Sequence, residues 1–231
     1  MNCWSQFELS LDRTHSEYGN THTTPPKRIF STVTMAIQTI GITGGIGSGK
    51  SVVSQILRTC GFTVYDCDSN AKAIMDRDPE IHRKLAEMID PSTINVDGSI
   101  NRPRLAQIVF GDKKKLAILN AIVHSAVTDD VQACARLTPG LFFVESAILY
   151  SSGLWKYVDR IWEVTADIET RISRVTARDN ATRQQVLQRI HSQNNETAPY
   201  GCSITPEVIH NDDNSPLLPQ IWAICPIDTK R

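Results

Sequence analysis

The sequence predicts an α/β fold in which a parallel β-sheet lies between layers of helices. Four short runs rich in apolar residues have the length of buried strands, at residues 40–43, 62–65, 141–144 and 158–164. The segments between them carry apolar residues three or four positions apart, which is the spacing of an amphipathic helix. Short buried strands that alternate with helices favour a parallel sheet covered on both faces.

The helices follow in a definite order along the chain. The first comes directly after the opening strand and ends where Gly61 stops it. Residues 69–90 are predicted to form two short helices, broken near Asp78 and Pro79. Further helices are predicted over residues 102–110, 113–135, 168–178, 183–193 and 217–223, and a short fifth strand over residues 207–209.

Composition excludes several classes of protein. The 231 residues include 24 Lys and Arg against 25 Asp and Glu, a net charge of −1, so no global basic field favours nucleic acid. Aromatic residues form 6% of the chain, too few for surfaces that stack single strands. No uncharged apolar run approaches the roughly 18 residues of a transmembrane helix. We therefore expect neither nucleic acid nor a membrane as a partner.

The cysteines predict no disulfide framework and no zinc site. Six of them are scattered, at positions 3, 60, 67, 134, 202 and 225, without a C-x-x-C pair, and the six histidines complete no zinc spacing. Free thiols are typical of proteins in a reducing compartment, so we expect reduced cysteines and a cytoplasmic location.

The first 34 residues differ in composition from the rest. Ten of them are Ser or Thr, and no periodic apolar face is present. The stretch lacks the apolar core of a signal peptide, and its acidic residues argue against a transit peptide. We interpret residues 1–34 as a disordered or wrongly assigned extension with Met35 as the natural start, and residues 35–231 as one domain.

The strongest motif is a glycine-rich loop between the first strand and the first helix. The segment G-G-I-G-S-G-K-S, residues 44–51, matches the phosphate-binding pattern G-x-x-x-x-G-K-[ST]. Its glycines let successive amides face phosphate oxygens, and the helix start adds its dipole and the amides of Ser51 and Val52. Lys50 supplies a positive charge to the β- and γ-phosphates, and the Ser51 hydroxyl can ligate Mg²⁺.

This motif predicts the three-layer fold of the P-loop nucleoside triphosphate hydrolases. The predicted nucleotide contacts are Gly45, Ile46, Gly47, Ser48, Gly49, Lys50, Ser51 and Val52. A phosphate loop alone serves kinases, switch GTPases and motors alike. The chain has no N-K-x-D motif to read guanine, and a large motor needs a longer chain, so a small-molecule kinase remains.

Two acidic residues follow the second predicted strand. Asp66 and Asp68 lie at the carboxyl edge of the sheet, where open parallel sheets bind ligands. In an extended segment both carboxylates would point to one side and Cys67 to the other. One of them could then accept the proton of an attacking hydroxyl group or hold a metal-bound water. The alternative is a pair of helix-capping aspartates ahead of Ser69.

These segments together resemble the dephospho-coenzyme A kinase family. Its hallmark is T-G-G-I-G-S-G-K-S, present at residues 43–51, followed by V-x-D-A-D, which here reads V-Y-D-C-D. Similar segments are N-R-x-x-L-x-x-x-x-F at 101–110, L-N-x-x-x-H at 119–124, R-x-x-x-R-D at 174–179, R-x-x-x-Q at 189–193 and V-I-x-N at 208–211. The resemblance covers about residues 37–223 and none of the first 34.

The resemblance implies a reaction and roles for several of these residues. The reaction is ATP-dependent phosphorylation of the 3′-hydroxyl of the dephospho-coenzyme A ribose with Mg²⁺, the last step of coenzyme A synthesis. Asp68 would take the hydroxyl proton, with Asp66 supporting the site. Arg178 would close over the triphosphate from a lid formed by residues 179–195. Lys50 and Mg²⁺ would bridge the phosphates.

The remaining implied roles lie on the acceptor side and at the base of the nucleotide. Helices between residues 69 and 136 would form a subdomain that binds the acceptor, dephospho-coenzyme A. Arg102 and His124 would contact that acceptor, and Asn211 would contact adenine.

The chain departs from the family pattern on the acceptor side. Ser125 stands where the family has proline after the histidine, and Lys72 stands where arginine is common. The family's P-L-L-F-E segment reads A-I-L-Y-S at residues 147–151, so Ser151 replaces its glutamate. We expect Glu145, at the end of the apolar strand, to supply the acid instead.

Two other readings of the chain remain open at this point. One is another nucleoside or nucleotide kinase on the same scaffold. The other is a nucleotide-binding regulatory module without an acceptor, against which the Asp66 and Asp68 pair argues. We expect a monomer or a small homo-oligomer.

The interpretation of residues 1–34 predicts the behaviour of a shortened chain. We expect a variant that begins at Met35 to fold with an unchanged thermal unfolding midpoint and to retain full kinase activity, because the periodic apolar pattern begins only after that residue. Circular dichroism melting and a coupled ATP assay would measure both properties. Loss of folding or activity would overturn the interpretation.

Overall fold

The computed structural model describes residues 38–193, 196–212 and 214–226. The strands in these ranges are β1 (Gln38–Thr43), β2 (Thr63–Asp66), β3 (Leu141–Glu145), β4 (Arg160–Thr165) and β5 (Glu207–His210). The α-helices are α1 (Lys50–Thr59), α2 (Cys67–Arg77), α3 (Pro79–Met88), α4 (Arg102–Gly111), α5 (Lys113–Leu137), α6 (Ile168–Asp179), α7 (Arg183–Ser192) and α8 (Leu217–Ile224). The predicted strands and helices are confirmed, with small shifts at their ends.

The described strands form one parallel sheet in the order β2-β3-β1-β4-β5. Glu145 at the end of β3 pairs with Asp66 of β2 on one side and with Ile42 of β1 on the other. The carboxyl ends of these three strands are therefore aligned at one edge. That alignment brings the loop after β1 next to the start of α2.

Helices cover both faces of this sheet. Phe142 and Val144 of β3 join the core beneath α2 to α5, and Phe143 between them joins the core beneath α1 and α8. All three side chains are completely buried, which is why β3 is apolar at every one of these positions. The sheet is the middle of three layers, as the sequence predicts.

The segment assigned to acceptor binding is a cluster of four helices, α2 to α5. Asp78 accepts a hydrogen bond from the Glu80 amide at 2.9 Å and caps α3, whose first residue is Pro79, so the predicted break falls there. The cluster is tied to the sheet because the Tyr65 hydroxyl of β2 donates to Asp130 of α5 at 2.6 Å. This bond fixes the long helix α5 against the edge of the sheet that carries the site.

The segment assigned to the lid, residues 179–195, contains α7, which packs with the preceding helix α6 around a small core of their own. Buried residues of α6, α7 and their connection make up this cluster, namely Ile172, Val175, Ala181, Val186 and Ile190. Thr182 and Gln185 open α7 with a reciprocal capping box. Ile46 of the glycine-rich loop packs against the cluster. Residues 194 and 195 of the predicted lid lie outside the described residues.

The start of β4 differs from the prediction. The strand begins at Arg160 instead of residue 158, because a short 3₁₀ helix over Leu154–Tyr157 precedes it. Val158 packs instead into the core on the α2 to α5 side of the sheet.

Two observations on the described residues bear on the expectations from composition. The five described cysteines are free. Among the described helices, none combines the length and apolar character of a membrane span. Residues 1–34, interpreted as an extension, lie outside the described ranges.

Candidate active site

The site is built around the backbone of the loop between β1 and α1. Gly44 and Gly49 have φ angles of 144° and 92°, values that residues with a side chain rarely adopt. Their surroundings add a second reason for glycine. A Cβ atom on Gly44 would overlap the Val164 carbonyl, and one on Gly49 would overlap the side-chain amide of Asn211. The loop is therefore held by close packing against its backbone on two sides.

Several amides of this loop are already used within the protein. Those of Ile46, Ser48 and Val52 donate to protein acceptors, the last to the Gly49 carbonyl at 3.0 Å. The Val52 amide, predicted to serve phosphate, is used here in the first helical turn, and its contact with phosphate stays a prediction. By contrast, the described residues provide no acceptor for the amides of Gly47, Gly49, Lys50 and Ser51. These four remain to bind an anion.

Lys50 lies folded back over the loop. Its Nζ donates to the Gly44 carbonyl at 2.7 Å and approaches the Gly45 carbonyl at 3.4 Å. Burial lowers the pKa of Lys50 below its ordinary value, and the charges of Glu145 and Asp68 act in the opposite direction. The ammonium group thus lies within the field of both carboxylates.

The structure corrects the predicted arrangement of Asp66 and Asp68. The extended segment ends at Asp66, whose carboxylate caps α2 and accepts hydrogen bonds from the Asp68 and Ser69 amides at 3.0 and 3.1 Å. Cys67 and Asp68 already belong to the helix, so the two carboxylates do not share one side by strand alternation. The alternative interpretation is right for Asp66, which also accepts from the Ser69 hydroxyl at 2.8 Å.

A cleft opens between α2, α5 and the segment after β3. It holds about 440 Å³ of empty space, part of it open to solvent. The residues around it are Cys67, Asp68, Ala71, Val123, His124, Val127, Thr128, Ser146, Ile148, Ser152 and Leu154. Its walls are mainly apolar with a few polar groups, as is typical of a site for a small organic ligand.

Two titratable groups in the cleft are uncharged at neutral pH. Burial lowers the pKa of His124 below its ordinary value, against the opposing charge of Glu196. Burial, together with Asp68 and Asp66, raises the pKa of the Cys67 thiol to about 12. The Cys67 thiol is therefore not a nucleophile at neutral pH. Asp68 is the carboxylate among the residues that line the cleft.

Asn211 contacts the glycine-rich loop directly. Its side-chain amide donates to the Ser48 carbonyl at 2.8 Å, and its own carbonyl accepts from Arg174 at 2.9 Å. The Asn211 amide donates to Thr165 at 2.8 Å, which places it just beyond β5 at the same sheet edge. The residue predicted to contact adenine thus braces the loop that would hold the phosphates.

The predicted lid arginine lies near the site but is engaged with its neighbour. Arg178 at the end of α6 donates from Nε to Asp179 at 2.7 Å, and Arg189 of α7 donates to the same carboxylate at 2.7 Å. The side chain of Arg178 is 63% exposed. Its charge also acts on Lys50, which places it within reach of the loop's field.

The structure does not bring Arg102 to the cleft. Arg102 opens α4 and pairs with Asp76 of α2 at 2.5 Å, on the exposed side of the helical cluster. It is absent from the residues that surround the cleft. Glu145 lies at the end of β3, at the edge of the sheet where the sequence places it. Its negative charge acts on Lys50.

Three residues close to the site received no role from the sequence. Arg171 of α6 donates from Nε to the Ile46 carbonyl at 2.9 Å. Gln193 and Glu196 make the contacts described below. Arg171 lies one helical turn before Arg174, so helical spacing alone could have placed both on one face. The contacts of the other two join positions 147 and 45 apart in the chain, for which no local pattern exists.

Comparisons with known proteins agree with this geometry. The family model described as dephospho-CoA kinase matches residues 38–216. A Bacteroides fragilis dephospho-CoA kinase is 39% identical over 189 residues, which cover 81% of this chain and 90% of that protein. A Porphyromonas gingivalis dephospho-CoA kinase is 42% identical over 159 residues, covering 68% and 78%.

Solved structures show the same fold. A Thermus thermophilus protein superposes with a TM-score of 0.59 at 34% identity, covering 75% of this chain and 88% of its own. A Campylobacter jejuni dephospho-CoA kinase superposes with a TM-score of 0.53 at 21% identity, covering 76% and 88%.

The packing around Gly49 predicts the result of a paired substitution. Gly61 has a similar φ of 89° but open space around it, so Gly61→Ala carries only backbone strain, about 1–2 kcal/mol of unfolding free energy. Gly49→Ala adds the overlap with Asn211. We expect it to destabilise the protein more than Gly61→Ala in urea unfolding.

The two variants should also differ in nucleotide binding. We expect Gly49→Ala to weaken ADP binding at least about tenfold by calorimetry, whereas Gly61→Ala leaves it unchanged, because a factor of ten needs only about 1.4 kcal/mol. Equal effects of the two substitutions would show that the contact with Asn211 is unimportant.

Proposed function

The chain belongs to the dephospho-CoA kinase family, and we propose how its own residues carry out that reaction. Its activity is that of a dephospho-CoA kinase, an ATP-dependent step of coenzyme A biosynthesis. We assign the acceptor to the cleft between α2 and α5, and the transferred group to the 3′-hydroxyl of its ribose. One observation supports this assignment above the others: Asp68 lies both on the wall of that cleft and in the field of Lys50.

The donor side is the glycine-rich loop. The amides of Gly47, Gly49, Lys50 and Ser51 have no acceptor in the described part of the chain, so they are available to phosphate oxygens. Lys50 exchanges its bond to the Gly44 carbonyl for the β- and γ-phosphates and neutralises their charge. Arg178 adds a second positive charge once it leaves Asp179.

The residues of this loop fit a magnesium ion held mainly by the nucleotide. No group of three or more His, Cys, Asp or Glu able to hold a metal occurs within the described residues. Magnesium commonly keeps several waters and takes one or two protein ligands together with substrate phosphates. The Ser51 hydroxyl at the first turn of α1 would be that ligand here. When bound, the ion offsets the charge on the β- and γ-phosphate oxygens.

On the acceptor side, the roles of the two aspartates follow from their hydrogen bonds. Asp66 is occupied as the cap of α2, so it orients the start of the helix that carries Asp68. Asp68 accepts the proton of the attacking hydroxyl group as that hydroxyl approaches the terminal phosphate. His124, kept neutral by burial, offers hydrogen bonds from the opposite wall of the cleft.

The helix pair α6 and α7 completes the site as its lid. It already contacts the loop through Ile46 and Arg171, so only its outer residues need to move over bound nucleotide. Closing this lid excludes water, which would otherwise compete with the acceptor for the phosphoryl group. Asn211 holds the loop backbone in place beneath the nucleotide base.

The role of Asp68 predicts a large loss of turnover in Asp68→Asn. We expect kcat to fall about 100-fold or more, the range for removal of an acid–base group, while ADP affinity stays within a factor of two or three. A coupled assay with ATP and dephospho-CoA measures turnover, and calorimetry measures ADP binding.

Asp78→Asn is the matched control for this substitution. Asp78 also stands at a helix start, where asparagine caps as well as aspartate, and it lies outside the cleft. We expect it to keep wild-type turnover. If Asp68→Asn retained more than a third of the activity, another residue would be the base.

The role of Ser51 predicts a loss of the magnesium effect on binding. In the wild-type protein we expect Mg²⁺ to tighten ADP binding compared with EDTA, because the hydroxyl ligates the ion. In Ser51→Ala the ratio of the two affinities should fall at least about tenfold, a change of about 1.4 kcal/mol. Affinity in EDTA serves as the internal control, and an unchanged ratio would contradict the assignment.

A further inference from the structure

The outer bend of the glycine-rich loop is held from three directions by the helix pair α6 and α7. The Ile46 amide donates to the Gln193 side chain at 2.6 Å, and the Ile46 carbonyl accepts from Arg171 at 2.9 Å. The Ile46 side chain packs against the apolar cluster of the pair. The backbone of the glycine-rich loop is therefore attached to the end of α7.

A backbone hydrogen bond connects this attachment to a second one. The amide of Glu196 donates to the carbonyl of Gln193 at 2.9 Å, so the two residues keep a fixed spacing. Gln193 reaches the donor loop with its side chain. Glu196 extends its carboxylate in another direction, toward the segment that follows β3.

Glu196 binds that segment with both carboxylate oxygens. Its Oε2 accepts from the amides of Tyr150 and Ser151 at 3.2 and 3.4 Å, and its Oε1 accepts from the Ser151 hydroxyl. Hydrogen bonds to a charged acceptor are stronger than neutral ones. The carboxylate thus anchors the turn at the position where the family's glutamate is replaced by Ser151.

The anchored segment is part of the acceptor cleft. Ile148 and Ser152, on either side of the bonded residues, line the cleft with His124 and Asp68. The charge of Glu196 also acts on His124 across the cleft. A ligand that moves this wall therefore acts on Glu196.

We propose that Gln193 and Glu196 form a direct mechanical link between the glycine-rich loop and the acceptor cleft. Through this link each substrate strengthens the binding of the other. The proposal rests on the assignment of dephospho-CoA to that cleft. Both are positioning residues, since Gln193 acts through Ile46 and Glu196 through Ser151. The link restrains the two sites in one arrangement. The substrate that binds first orders this arrangement, so the second substrate binds with a smaller loss of conformational entropy.

Calorimetry of the full chain tests this link. ADP binding is titrated with and without saturating dephospho-CoA, a pair of ligands that allows no phosphoryl transfer. In the wild-type protein we expect dephospho-CoA to tighten ADP about tenfold, within the usual range of coupling between sites. The coupling ratio is the ADP affinity with dephospho-CoA divided by the ADP affinity without it. In Glu196→Ala, and separately in Gln193→Ala, this ratio should fall to between about one and about two. The ADP affinity without dephospho-CoA should change by less than about threefold.

Conservative and matched variants separate coupling from loss of structure. Glu196→Gln keeps an oxygen for the Tyr150 and Ser151 donors, so it should restore part of the ratio. Glu169→Ala removes a glutamate that pairs with Arg183 at 2.6 Å within the helix pair, away from both attachments, and should leave the ratio at the wild-type value.

The outcomes distinguish the link from the proposed function. If wild-type protein binds dephospho-CoA but its ADP affinity does not respond, or if both alanine variants keep the full ratio, the link is overturned and the acceptor site stands. If wild-type protein does not bind dephospho-CoA at all, the proposed acceptor site fails and the link fails with it.

Discussion

The close approach of neighbouring elements to the backbone of the glycine-rich loop is the constraint on which the site depends. The Val164 carbonyl lies where a side chain on Gly44 would be, and the Asn211 amide lies where one on Gly49 would be. β4 and the end of β5 can reach these positions only because the parallel sheet aligns the carboxyl ends of its strands. In the packed loop the amides of Gly47, Gly49, Lys50 and Ser51 have no acceptor among the described residues. Global sheet topology and local anion binding are therefore two consequences of the same packing.

The same edge of the sheet brings opposite charges together without joining them in an ion pair. The negative charges of Glu145 in β3 and Asp68 in α2 act on Lys50. The positive charges of Arg171 and Arg178 in α6 act on it as well. Its ammonium is bonded instead to loop carbonyls, which a phosphate can replace. A direct ion pair would have to be broken before nucleotide binds, and a partly buried one costs several kcal/mol to separate. The carboxylates are thus near enough to serve the reaction and far enough to leave Lys50 available.

The sequence predicts the parts of this arrangement that are local in the chain. The strand and helix pattern, the phosphate loop with Lys50 and Ser51, and the acidic pair after β2 all follow from periodicity and spacing. The predicted conformation of that pair is wrong, because capping by Asp66 begins α2 at Cys67, two residues before the predicted helix start at residue 69. The amide of Val52, which the motif directs to phosphate, likewise donates within its own helix in this structure. Local competition for hydrogen bonds decided both, and a pattern of residue types does not resolve it.

Contacts between distant parts of the chain could not be predicted in this way, and they determine how the two halves of the site communicate. Ile46 and Gln193 are 147 positions apart, and although both lie in segments shared with the family, nothing in either segment indicates that the two residues meet. Ser151 shows the limit clearly: the sequence reveals a missing glutamate, and the residue expected to replace it was Glu145. The structure places the carboxylate of Glu196 on Ser151, and the charge of Glu145 acts on Lys50. The carboxylate of Glu196 is joined through Gln193 to the glycine-rich loop, and it differs physically from a glutamate carboxylate fixed in the cleft wall at position 151. The first transmits a displacement between the sites, and the second only supplies a charge.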